Sequence, residues 1–453
     1  MRKRPIPSLS RCTFTLALTI AVSFMLPKCG FGQSQTSKTA AQAAATMQYV
    51  GAGGCSAPAC HGSVRPITQT RIWQNEYSTW VTQDKHSRAY GMLSGPVAMR
   101  MAKILGLPAA NTAAKCLACH SLDAPQSERA QTFDINDGVS CESCHGPASA
   151  WLGPHTTAGW THEQSLKLGM YDTRDLVQRT QRCLECHMGT KDKYVDHEML
   201  AAGHPDLYFE LDSFETTMPR HWKQPLEQDP WGDVRDWATG QAAQLGAEMK
   251  YVSGLTQRAA WPEYAQLDCF ACHHDLVKTE NSWQQQRGYA GRRAGTPPWN
   301  PSRYIVFRQL ARDVDPTLAA RLETSIGRLE TVMNQLEPDR QSAAAAAAEA
   351  AGALDDFAQR LASMPYDQAT TLRFMRDISG NGDAISMAGE RSAEQAAMAL
   401  NSLYLAYSHN TKAANDGDVR AAIAGLYQQL QNPSAYNGFL FAEQMRKVNA
   451  LVR

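Results

Sequence analysis

The alternation of apolar and polar positions divides this chain of 453 residues into stretches of different character. At the start, Arg2, Lys3, Arg4 and Arg11 flank an apolar run from Thr13 to Leu26. The run is shorter than the roughly 20 residues a membrane span needs, and its charged-then-apolar order is that of an export signal. Gly30 and Gly32 supply small residues before a cut after Gly32, so residues 1–32 are expected to be a signal peptide. Lys28 directly before Cys29 departs from the small-residue pattern of a lipoprotein. No other stretch is apolar enough to span a bilayer, and Ala40 to Ala45 lies in a low-complexity tether, residues 33–49.

Residues 50–283 show little periodicity and many glycines, prolines and short polar runs; Trp237 to Lys250 is the segment that reads as helical. Residues 284–302, with Gly288, Gly291, Gly295, Pro297 and Pro298, read as a linker. Beyond it the pattern changes. Asp315-Pro316 has the form of an N-cap followed by a first-turn proline. Leu318, Leu322, Ile326, Leu329, Met333 and Leu336 then recur at helical spacing up to Pro338. Ser342 to Met364, Ser392 to Ser408 and Asp418 to Leu430 read as three further helices. The expected fold is mainly α: a loop-rich domain over 50–283 followed by an α-helical bundle over 303–453.

Charge changes the picture little. With 44 Lys+Arg against 44 Asp+Glu, nothing suggests a nucleic acid or an anionic membrane surface as partner. Cysteine changes it completely. Cys12 and Cys29 fall in the signal, and the ten others form five clusters, each closed by a histidine. They are Cys55–Cys60–His61, Cys116–Cys119–His120, Cys141–Cys144–His145, Cys183–Cys186–His187 and Cys269–Cys272–His273. Four are CxxCH, the attachment sequence of c-type haem: two thiols add to the porphyrin vinyl groups, and the next residue offers imidazole to the iron. The first has four residues between its cysteines, with Pro58 limiting the slack. Disulfides, zinc sites and a thioredoxin-like motif do not require that histidine. Five covalently attached haem c groups are therefore expected, and the loop-rich region is a consequence, since haem takes the place of an apolar core.

Eight histidines remain for the far side of the irons: His86, His155, His162, His197, His204, His221, His274 and His409. His409, at the end of a helical stretch, and His162 read as ordinary histidines. His197 and His204 lie seven apart, which in a helix puts both on one face. Met188, Met199 and Met218 read as packing.

Trp80-x5-His86-Ser-Arg-Ala-Tyr90, and Gly138-Val-Ser-Cys141-Glu-Ser-Cys144-His145-Gly146-Pro147 followed by Gly153-Pro154-His155, resemble the cytochrome c-554 family. Its members are electron carriers related to the hydroxylamine oxidoreductase group. The resemblance implies that His86 caps the iron on His145, that His155 caps the iron on His61, and that the second iron, on His120, stays open. The segment Asp196 to Pro205 resembles part of larger multihaem oxidoreductases, which would give His204 to the His187 iron and His197 to a neighbour. For the fifth iron the choice stays between His221, His274 and no ligand.

Two functions fit: an exported pentahaem cytochrome carrying electrons between a redox-protein donor and acceptor, or a haem enzyme acting on a small nitrogen or sulfur compound at one open iron. The chain lacks Cys-x-x-Cys-Lys, the lysine-ligated site of pentahaem nitrite reductases. The mature protein is expected to be periplasmic or otherwise exported, and soluble.

Overall fold

The computed structural model describes residues 47–223, 229–273 and 297–452. The signal peptide, most of the tether, most of the linker and His274 lie outside the described residues. The protein is mainly α-helical, and its described extended pairings are the isolated bridges Tyr49–Arg129 and Leu267–Trp299.

One large apolar core runs through the second half of the chain. At its centre is the helix Gly232–Leu255, with Val234, Trp237, Leu245, Met249 and Val252 buried. This helix extends well beyond the 237–250 stretch read from the sequence, and it shares its core with the helices that come after residue 300. A Cβ at Gly240 would stand 2.7 Å from the Leu211 Cβ, so glycine in mid-helix lets the segment before it pack closely. The helix Pro316–Met333 begins as its sequence implies, with the Asp315 carboxylate accepting from the Leu318 amide at 3.0 Å. Leu318, Leu322, Ile326, Leu329 and Met333 are buried, but Leu336 is 69% exposed. The helix stops at Met333, so Leu336 falls beyond the stripe.

The alanine-rich helix is Arg340–Ser363, and the next two expected helices are Glu390–Asn410 and Asp416–Gln429. Ser302–Val314, Gln368–Gly380, Gly382–Met387 and Gly438–Leu451 complete the bundle without having been expected.

The first half is built differently. Its helices are short, and its apolar clusters are small: Leu93, Ala102, Ala110 and Leu117 in one, Val50, Ala148 and Trp151 in another. Among the described residues no helix is long and apolar enough to cross a membrane.

Candidate functional site

Three of the five Cys-His clusters sit at the ends of helices. His120, His145 and His187 are the last residues of Ala114–His120, Cys141–His145 and Leu176–His187. In a helical turn, cysteines three apart share a face and the histidine after them lies beside both. The fifth cluster makes a tighter turn, Cys269–Ala271, in which the His273 amide donates to the Cys269 carbonyl at 2.8 Å. In the first cluster the amides of Cys60 and Gly62 donate to the Ala57 carbonyl at 2.8 and 3.0 Å, and that of His61 to the Cys55 carbonyl at 3.3 Å. The two extra residues are thus folded into a compact turn.

The ten cysteines of the clusters form no disulfide among the described residues. Cys55 couples electrostatically with Cys141, and Cys119 with Cys186, so clusters one and three lie close, as do clusters two and four.

The histidines form four facing pairs. Ring centroids are 6.3 Å apart for His61–His155, 6.0 Å for His86–His187, 6.4 Å for His120–His204 and 6.1 Å for His197–His273. Each pair joins one cluster histidine to one from elsewhere. The separation fits an iron between the rings: two metal–imidazole bonds of about 2 Å, plus roughly 1 Å from each nitrogen to its ring centre, make ~6 Å.

The hydrogen bonds agree with that use. An imidazole ligand commonly gives its other nitrogen to a carboxylate or carbonyl, which fixes ring and tautomer. His61 Nδ1 lies 3.0 Å from Glu76, and His86 Nδ1 2.9 Å from Asp84. The Nδ1 atoms of His120, His155 and His204 meet the carbonyls of Ala89, Trp151 and Pro205 at 3.1, 3.0 and 2.8 Å. In all five, Nε2 is left for a metal. His162 is the reverse: its Nε2 lies 2.9 Å from Asp172, in keeping with an ordinary histidine. Burial pushes His145 and His187 down to about 4, which keeps their rings neutral and their lone pairs available.

The pairings can be set beside the expected ones. His155 faces His61, the combination the resemblance implies, whereas His86 faces His187 and not His145. His204 faces His120 and not His187, beside the position the resemblance leaves open. His197 faces His273, the partner left undecided. His197 and His204 do not share a helical face, because the helix His197–Ala202 ends at Gly203 (φ 108°), which turns the chain away.

The sequence reading missed three carboxylates. Glu76 and Asp84 hold the pairs just described; Asp84 could have been suspected from its place two residues before His86. Glu142, inside the third cluster, is buried and accepts from the amides of Val50, Gly51 and Ala148 at 2.9, 2.7 and 2.7 Å. It ties the approach to the first cluster onto the third. Around the second and fifth clusters, Lys115 pairs with Asp196 at 2.6 Å, and Glu263 accepts from the His197 amide at 3.0 Å.

No curated protein and no solved structure matches the chain. Residues 55–146, holding the first three clusters and His86, match the family model described as cytochrome c554 and c-prime. Over that segment, about a fifth of its length, the chain is similar to this family of cytochromes.

Proposed function

We propose that this chain is an exported, five-haem c-type cytochrome that passes single electrons between a redox-protein donor and acceptor. The observation that carries the reading is the set of four facing pairs, each made of one cluster histidine and one distant histidine at about 6 Å. When bound, haem c supplies a one-electron iron couple whose potential is set by axial ligands, nearby hydrogen bonds and burial. Cys55, Cys60, Cys116, Cys119, Cys141, Cys144, Cys183, Cys186, Cys269 and Cys272 would attach the five groups. His61, His120, His145, His187 and His273 would bind iron beside them, and His155, His204, His86 and His197 opposite four of them. Two imidazoles on one iron suit electron transfer, because the ligand set need not change with oxidation state. The electrostatic coupling of Cys55 with Cys141 and of Cys119 with Cys186 supports attachment edges that lie close, as a wire requires.

Production in a host with cytochrome c maturation machinery, followed by intact mass spectrometry, tests the count. Five haem additions and loss of residues 1–32 are expected; fewer additions remove a cluster from the reading. Electron paramagnetic resonance tests the pairs. His86→Ala and His204→Ala should each turn one low-spin iron high-spin without loss of haem, and His162→Ala should change nothing. Spectra unaltered by both of the first two substitutions would sink the assignment.

A further inference from the structure

We infer that Tyr251, Arg303 and Arg391, where the two halves of the chain meet, form a receptor for one propionate of the haem carried on His273. This deepens the proposed function and rests on its haem assignment. Each haem c brings two propionate carboxylates, and a carboxylate withdrawn from water needs donors and positive charge around it.

The structure holds such a place. A cavity has Val195, Ala265 and Gln266 on one wall and Tyr251, Arg303 and Arg391 on another. The second wall comes from three helices, Gly232–Leu255, Ser302–Val314 and Glu390–Asn410. The first belongs to the segments that lead to both imidazoles of the His197–His273 pair: Val195 stands two residues before His197, and Gln266 three before Cys269. Cys269 and Cys272 are not among the walls. That suits a propionate, which leaves the porphyrin on the edge away from the thioethers.

Three buried polar atoms of the cavity residues have no hydrogen-bond partner among the described residues: the Tyr251 hydroxyl, Arg303 Nε and Glu248 Oε2. Tyr251 and Glu248 are each only 4% exposed, so water does not readily serve them. Unmatched groups this deep point to a missing partner, and the first two are donors. The chain fixes both guanidiniums for that use. Arg303 Nη2 donates to the Leu207 carbonyl at 3.3 Å, and Arg391 Nη1 to the Ala265 carbonyl at 2.9 Å. Arg391 also pairs with Asp206, and Arg303 with Glu248 at 3.6 Å.

Charge agrees with an anionic guest. The two arginines exceed Asp206 by one positive charge when Glu248 and Glu394, the other carboxyls of the cavity, hold protons. Burial raises both, Glu394 to about 7. One propionate then balances the site, and protonated Glu248 adds a third donor. A guanidinium beside the propionate also disfavours the extra positive charge of ferric iron, so the bundle helps to set the potential of the fifth haem.

The test uses the mature holoprotein. Mass spectrometry first establishes five haems; a count of four with the fifth cluster empty would fail the haem assignment itself, and the inference with it. With five present, Tyr251→Phe and Arg303→Gln should each shift the propionate bending bands in resonance Raman spectra. Arg303→Gln should also favour the oxidised form of one iron roughly tenfold, a fall of about 59 mV read by spectroelectrochemistry. Replacing Cys269 and Cys272 by alanine should remove one haem and abolish both responses. In that protein Tyr251→Phe deletes an unmatched hydroxyl and should leave the melting temperature equal or higher, whereas with the fifth haem attached it should lower it. Bands and potentials unmoved in both single variants would overturn the inference. So would responses that survive without the fifth haem, since they would belong to the second or fourth haem, reached past Asp206 or Met188.

Discussion

The two halves of this molecule answer one question, what fills the middle, in opposite ways. The second half buries a continuous set of Leu, Ala, Phe and Met from its helices, with Leu354, Phe357, Leu403 and Met445 wholly enclosed. The first half has apolar clusters of three or four buried residues, separated by histidine pairs and thiols. Burial of a large aliphatic side chain contributes roughly 1.5–3 kcal/mol, so clusters of that size cannot offset the entropy of ordering over a hundred residues. On the proposed function, haem supplies what the polypeptide of the first half lacks.

The largest effect should come from withholding those groups. Made without haem attachment, the protein should keep the helical signal of the bundle and lose ordered structure between residues 50 and 220. Circular dichroism and limited proteolysis check this; protection of the first half without haem would break the comparison. The converse change is Leu354→Ala, which should destabilise the bundle by about 2–5 kcal/mol and leave haem number and spin state unaltered. Chemical denaturation tracked separately by helix signal and Soret band would distinguish the two halves.

The same contrast decides what was legible in the sequence. The stripe from Leu318 to Met333 and its Asp315 cap were readable because helix packing writes itself at a fixed spacing. The cluster histidines were readable because attachment chemistry is local. The partners of those histidines were not. His86 reaches His187 across 101 positions, and a spacing rule has no access to such a contact. The pair His197 and His204 misled because helical spacing was assumed through Gly203, whose left-handed conformation ends the helix. The helix Gln368–Gly380 escaped notice because Thr370, Thr371 and Ser379 stand in its buried face, whereas the stripe Phe441, Met445 and Val448 of Gly438–Leu451 was present in the sequence and went unread.

A smaller effect sharpens the comparison within the first half. The carboxylates of Glu76 and Asp84 accept from His61 and His86, which raises the electron-donating power of those rings. Glu76→Gln and Asp84→Asn should each raise the reduction potential of one iron by tens of millivolts, on the order expected for a changed hydrogen bond to a ligand. Spectroelectrochemical titration reads this directly. Potentials unmoved in both variants would mean that these carboxylates only position the chain.

The smallest effect is one of sign. In Asp84 burial works to raise the carboxyl, but hydrogen bonds from His86 outweigh it and hold the group below its ordinary value; Glu76 is held down by His61 in the same way. A carboxylate depressed in the folded state contributes stability above its unfolded value, and that stability is lost as pH falls through the folded one. In the bundle the order reverses. Burial, with Glu390 and Asp206 nearby, pushes Glu394 up from 4.5 to about 7. It therefore favours the fold most below its unfolded value, and this contribution is lost as pH rises from about 4.5 to 7. Glu394→Gln should match the wild type near pH 5 and exceed it at pH 8 by on the order of 1 kcal/mol, discounted for partial exposure. Thermal melts of the bundle signal across that range test it, with a shift of about 1–3 °C expected at the alkaline end. A gap that opened toward acid would place Glu394 with the paired carboxylates of the first half and erase the difference in sign between the two regions.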